Sequence, residues 1–170
     1  MPENVEIKAR ARNFPAQLKI AEAVSNTKVE IIQQKDTFFV VQHGRLKLRE
    51  FDENRGELIS YFRDDIESAK HSTYKIYPTS EPRRLLETLS VSLRVIGAVE
   101  KTRRLYFHGQ TRIHLDDVKN LGHFIELEYV LAKDEDRGNG RNTIRNLMQT
   151  LEIAEHDLIS HAYIDLLLSV

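Results

Sequence analysis

The chain has 170 residues, no cysteine, and a formal net charge of −1 from 25 basic and 26 acidic side chains. It suits one domain, 1–170, with neither a disulfide framework nor thiolate chemistry. Balanced charge gives no global pull toward nucleic acid or a membrane, so a strong local field has to come from segregation of the charges. No apolar stretch approaches the roughly 18 residues of a membrane span, and the opening MPENVEIKAR lacks the hydrophobic region of a secretory signal; the expectation is a cytoplasmic protein, monomeric or homodimeric.

Taken in order, Val5 to Arg10 alternates apolar and charged residues, a strand signal. The spacing of Leu18, Ile20, Ala21 and Val24 predicts a helix from Pro15 to Val24 capped by Asn13. Lys28–Ile32 and Thr37–Gln42 read as strands, and His43-Gly44 turns into a strand over Arg45–Phe51. A second turn over Asp52–Gly56 leads to extended segments at Glu57–Arg63 and Ser72–Tyr77. Glu81 to Leu93 is predicted as helix, with Ser80 as cap and Pro82 at its first position. Three strands follow at Ala98–Phe107, Thr111–Leu115 and His123–Leu131. Asp134-Glu135-Asp136 reads as a solvated loop and helix start, Gly138-Asn139-Gly140 as a turn. Thr143–Leu151 and Ile159–Leu168 are predicted as helices. Strands interrupted by helices without strict alternation predict an antiparallel α+β fold, and about eight strands could close on themselves and remove both edges.

The functional signal lies in which face of each strand carries charge, because residues two apart share a face. Glu6, Lys8 and Arg10 oppose Val5, Ile7 and Ala9. Lys47 and Arg49 oppose Leu46 and Leu48, and Tyr61 pairs with Arg63. Lys101 and Arg103, then Arg112, His114 and Asp116, then Glu126 and Glu128 continue the pattern. A wetted outer face and a charged barrel interior would both produce this alternation. Segregation of sign favours the interior: carboxylates gather at positions 6, 116, 126 and 128, basic groups at 8, 47, 49, 63, 101, 103 and 112. Spacing alone leaves both readings open.

Six strings in order carry a more specific signal: Asn4-Val5-Glu6-Ile7-Lys8; Gln34 to Phe39; Gly44 to Glu50; Leu58 to Arg63; Val99 to Arg103; and Arg112 to Val118 leading through Leu121-Gly122 to Phe124-Ile125-Glu126-Leu127-Glu128. Together they resemble the CYTH superfamily, or triphosphate tunnel metalloenzymes, which joins class IV adenylyl cyclases and thiamine triphosphatases. The resemblance implies a closed eight-stranded antiparallel β-barrel, the triphosphate tunnel, with flanking helices. It implies Mg²⁺ or Mn²⁺ held by Glu6, Asp116, Glu126 and Glu128, and a triphosphate-bearing small molecule gripped by Lys8, Lys47, Arg49, Arg63, Lys101, Arg103 and Arg112. Carboxylate oxygens suit such hard cations, and arginine forks suit phosphate oxygens. Catalysis would fall to Glu6, Lys8, Glu126 and Glu128. The implied activity is metal-dependent hydrolysis of inorganic, thiamine or nucleoside triphosphate. The alternatives are a class IV-type cyclase making cyclic AMP and pyrophosphate from ATP, and a non-catalytic phosphate or nucleotide binder. Asn4 departs from the family pattern, which has a glutamate there.

Other residues carry less. For His114 a proton-transfer or phosphate contact and a structural hydrogen bond are both open. Ser72 and Tyr74 are candidates for the tunnel lining. His123 reads as a turn residue, and His156 and His161 lack the spacing of a zinc pair.

Overall fold

A computed structural model describes residues 2–63 and 69–169. Eight strands form the frame: β1 (Glu3–Arg10), β2 (Glu30–Phe39), β3 (Arg45–Asp52), β4 (Arg55–Arg63), β5 (Lys70–Thr79), β6 (Val95–His108), β7 (Thr111–Val118) and β8 (Gly122–Val130). Helices α1 (Phe14–Val24), α2 (Pro82–Ser92), α3 (Arg137–Thr150) and α4 (Tyr163–Leu168) flank them. All neighbouring strands pair antiparallel, and β1 bonds to both β5 and β8, closing a barrel in the order β1-β5-β4-β3-β2-β6-β7-β8. The closure removes every sheet edge, which suits a chain this rich in charged strands.

Closure also decides the faces. Val5, Ile7, Ala9, Ile113, Leu115, Ile125 and Leu127 point outward and are buried with Ala21 of α1 and Ile144 and Leu147 of α3. At about 25 cal/mol per Å² of apolar surface, this outer layer is the main source of stability on that side. Elsewhere the wall is barer: Ile31, Phe62 and Tyr77 are exposed.

Several elements differ from expectation. The two short strands around residue 34 are one continuous strand, β2, because Gln34 and Asp36 face inward and are buried in the barrel. The cap of α2 is Glu81, not Ser80. Helix α3 begins six residues early, at Arg137, because Asp136 accepts a hydrogen bond from Gly138 N at 2.6 Å. Gly138-Asn139-Gly140 is therefore the first turn of a helix. A Cβ at position 140 would lie 3.0 Å from both Val5 and Tyr129, so glycine lets α3 sit closely on β1 and β8. The C-terminal helix starts only at Tyr163. Before it the chain is held extended along β1, where Leu158 bridges Ala9 and Ile159 N donates to Lys8 O at 2.9 Å. The helix cap at Asn13 is as expected, accepting from Ala16 N at 3.4 Å.

Candidate active site

Inward-facing residues of all eight strands line one cavity of about 280 Å³. The strand registers bring the charged rows together: Lys8 pairs with Glu126, Glu6 with Glu128, Arg112 with Glu128, His114 with Glu126, Arg103 with Asp116, and Asp36 with Arg49. Seven basic side chains line the cavity against four acidic ones, all seven being those expected from sequence. With Asp116, buried against Arg103 and Lys101, counted as a fifth acidic group, basic side chains exceed acidic ones by two among the described residues, so the field of the partly desolvated channel favours an anion.

Three arrangements divide the charges. On the β2–β3 side, Asp36 takes a two-point contact from Arg49, at 2.8 and 2.9 Å, and Lys47 Nζ at 3.0 Å. Burial pushes the Asp36 carboxyl up, but Arg49 and Lys47 overcome this and hold it far below the usual range. Burial, with help from Arg49 and Lys101 and opposed by Asp36, brings the Lys47 ammonium down to about 8. On the β6–β7 side, Asp116 takes a fork from Arg103, Lys101 Nζ at 3.4 Å and the Tyr163 hydroxyl, which donates at 2.9 Å. Asp116 therefore stands inside a network of cationic and hydroxyl partners.

The third arrangement is acidic, on β1, β7 and β8. His114, Glu126 and Glu128 each offer one ligand atom, all within 4.8 Å of one another. His114 is 4% exposed, and its Nδ1 lies 3.9 Å from both Glu126 Oε2 and Glu128 Oε1, with no hydrogen-bond partner among the described residues. A buried, unpaired nitrogen between two carboxylates is costly without a further partner. Two oxygens and an imidazole nitrogen form a donor set that fits a divalent cation. Of the expected acidic ligands, Glu126 and Glu128 are thus brought together, while Glu6 lies beside Arg63, with Oε1 3.8 Å from Nη1. Burial and the nearby Glu128 charge push the Glu6 carboxyl up to about 7. Asn4, at the glutamate position of the family pattern, is buried, and its Oδ1 has no hydrogen-bond partner among the described residues.

Arg63 differs from the other cations: its Nε and Nη2 are buried with no hydrogen-bond partner among the described residues. Arg112 is at the rim, its side chain 42% exposed and 4.0 Å from Glu128. Ser72 and Tyr74 line the cavity as expected. His123 stacks on Phe14 outside the tunnel.

Sequence reasoning missed Asp36 and Tyr163. An aspartate inside a strand is unusual, and its alternation with Gln34 and Phe38 marks the inner face; that was an available signal. Nothing local marks Tyr163, which reaches Asp116 only because the C-terminal segment folds back across one end of the barrel. There the Tyr163 ring takes Lys8 Nζ at 4.1 Å and Lys101 Nζ at 4.8 Å from its centroid, and Ala162 and Ile164 are buried among Phe38, Val99, Val118 and Phe124.

A closed antiparallel barrel whose interior joins a cationic wall to an acidic pocket defines the class: a β-barrel with a charged tunnel. The chain belongs to the CYTH family, whose domain profile matches residues 2–163. Among solved structures, a protein from Pyrococcus horikoshii superposes with a TM-score of 0.83 at 21% identity, over 95% of this chain and 98% of that one. A proposed adenylate cyclase from Vibrio parahaemolyticus gives 0.72 at 23% identity, over 98% of both chains. A proposed adenylyl cyclase from Hippeastrum, described as having a dominant triphosphatase activity, gives 0.61 at 14% identity over 95% of this chain and 91% of that one. At these identities the likeness shows the fold. Comparison with curated proteins yields no match.

Proposed function

We propose that this protein is a divalent-metal-dependent enzyme that holds a triphosphate in the tunnel and hydrolyses its terminal anhydride bond. The observation that carries the reading is the pairing, in one cavity, of a cationic excess with the pocket of His114, Glu126 and Glu128. Lys8, Lys47, Arg49, Arg63, Lys101, Arg103 and Arg112 grip phosphate oxygens and neutralise charge that would repel a nucleophile. His114, Glu126 and Glu128 would hold Mg²⁺ or Mn²⁺, with Glu6 adjoining. When bound, the ion supplies Lewis-acid stabilisation of charge on the phosphoryl oxygens. The carboxylate of Glu6, paired with Glu128 across β1 and β8, orients the attacking water and takes its proton. The new P–O bond forms at the terminal phosphorus as the bridging P–O bond breaks; the diphosphate end is the leaving group, its developing charge met by the basic wall, and the terminal phosphorus is released as orthophosphate. Positioning and charge stabilisation provide most of the acceleration in such reactions, so no covalent nucleophile is required.

A class IV-type cyclase would use the same grip with a ribose hydroxyl as nucleophile. Incubation with Mg²⁺ or Mn²⁺ and a panel of triphosphates, followed by quantification of phosphate, pyrophosphate and cyclic AMP, decides between them. Phosphate without cyclic AMP is the expected result. Pyrophosphate with cyclic AMP would replace hydrolysis by cyclisation, and tight binding without turnover would leave a binding protein.

A further inference from the structure

The acidic pocket of the tunnel contains one donor of a different kind. His114 lies on the inner face of β7, where the strand register sets it beside Glu126 of β8 and Leu105 of β6. Its Nδ1 stands 3.9 Å from a carboxylate oxygen of Glu126 and 3.9 Å from one of Glu128, beyond hydrogen-bond reach of either. That nitrogen is buried and has no hydrogen-bond partner among the described residues. A histidine with a purely structural role in this position would close a hydrogen bond to one of the two carboxylates, because a buried polar atom left unpaired is costly. Metal–ligand bonds of about 2.0–2.2 Å put neighbouring donor atoms roughly 3–4 Å apart, so the observed spacing suits ligands of one ion better than hydrogen-bonded partners.

The carboxylates on either side are already partly neutralised. Glu126 accepts from Arg103 Nη2 at 3.1 Å and has Lys8 Nζ at 3.6 Å, and Arg112 lies 4.0 Å from Glu128. Mg²⁺ is held by oxygen and by charge, and it gives up its water reluctantly, so two screened carboxylates hold it weakly. An imidazole nitrogen adds affinity through its lone pair, which the neighbouring lysine and arginines do not neutralise, and it favours d-block ions over Mg²⁺. We propose that His114 Nδ1 is a ligand of the bound ion and makes the pocket selective for Mn²⁺ and Co²⁺ over Mg²⁺. The inference rests on the reading of this pocket as a metal site and adds the ligand atom and the class of ion.

Electron spin-echo modulation of Mn²⁺, added below one equivalent, reads nitrogen ligation without substrate or turnover. The unaltered protein should show the ¹⁴N modulation of a bound imidazole, replaced by the ¹⁵N pattern when its histidines are ¹⁵N-labelled. His114→Asn, whose amide oxygen takes the place of Nδ1, should lose the nitrogen signal. Competition calorimetry should give Mn²⁺ an advantage over Mg²⁺ of about a hundred-fold in the unaltered protein and about ten-fold or less in His114→Asn. A nitrogen-free Mn²⁺ spectrum from the unaltered protein overturns the ligand, whether or not the variant folds. A nitrogen signal that survives in the folded variant, or the same selectivity in both proteins, overturns it as well. The two proposals fail separately: Mn²⁺ bound through oxygen alone with full turnover would remove His114 and keep the hydrolase, whereas nitrogen-ligated Mn²⁺ without turnover of any triphosphate would remove the hydrolase and keep the ligand.

Discussion

Arg103 and Asp116 face one another across β6 and β7 in a two-point fork, with Nε to Oδ1 at 2.8 Å and Nη2 to Oδ2 at 2.7 Å, and Asp116 is wholly shielded from solvent. Arg103 also reaches Glu126 at 3.1 Å. The pair therefore links the cationic wall to the acidic pocket and sets where the Arg103 guanidinium points. Removing one partner of such a buried pair typically costs about 3–5 kcal/mol, because the other charge is left uncompensated. Asp116→Asn should lower unfolding stability by about 3 kcal/mol in a urea titration. A midpoint equal to that of the unaltered protein would show that Asp116 does not anchor the wall.

Arg63 and Arg49 should respond differently to truncation. Arg49 is tied to Asp36 by two contacts, so Arg49→Ala orphans a buried carboxylate and should destabilise the fold as well as weaken triphosphate binding. Among the described residues Arg63 has two buried nitrogens without hydrogen-bond partners, so Arg63→Ala should reduce triphosphate affinity by about 2 kcal/mol, roughly thirty-fold, with little change in melting temperature. Calorimetry and thermal melts on both variants check this, and equal melting losses would remove the distinction.

Glu128→Gln and His114→Ala should each weaken Mn²⁺ binding by ten-fold or more, read from the free-ion signal in electron paramagnetic resonance. Metal-dependent turnover should fall in parallel while the barrel persists in circular dichroism. Unchanged Mn²⁺ affinity in both variants would place the ion elsewhere.

Triphosphate binding should draw protons onto the protein above neutral pH. Lys47 is charged below about 8 and neutral above it, because burial and the Arg49 and Lys101 charges disfavour its ammonium. An arriving polyanion favours the charged form and raises the pKa again, so affinity should decline as pH climbs past about 8. Titration at pH 8.5 in two buffers of different ionisation enthalpy measures the uptake. No buffer dependence at that pH would mean that Lys47 does not meet the anion.

Much of the site was legible from alternation alone. Glu6 with Lys8, Lys47 with Arg49, Lys101 with Arg103 and Glu126 with Glu128 share faces because a strand turns its side chains with period two, and all eight line the cavity. Helix limits were less legible where tertiary packing set them. Gly140 looks like a turn residue until Val5 and Tyr129 are seen against it. Tyr163, in an apolar run, gives no hint that its hydroxyl meets Asp116.

The amino-acid sequence by itself determined the strand-rich pattern, the two-faced strands, the identity of the seven basic side chains and the family. Only the tertiary structure decided which face is inside, because that depends on β1 bonding to both β5 and β8, a closure between segments far apart in the chain. It likewise decided the division of labour among the acids. Asp36 and Asp116 are held in ion pairs while Glu126 and Glu128 converge with His114, and those partnerships follow from strand register across the barrel rather than from neighbours along the chain.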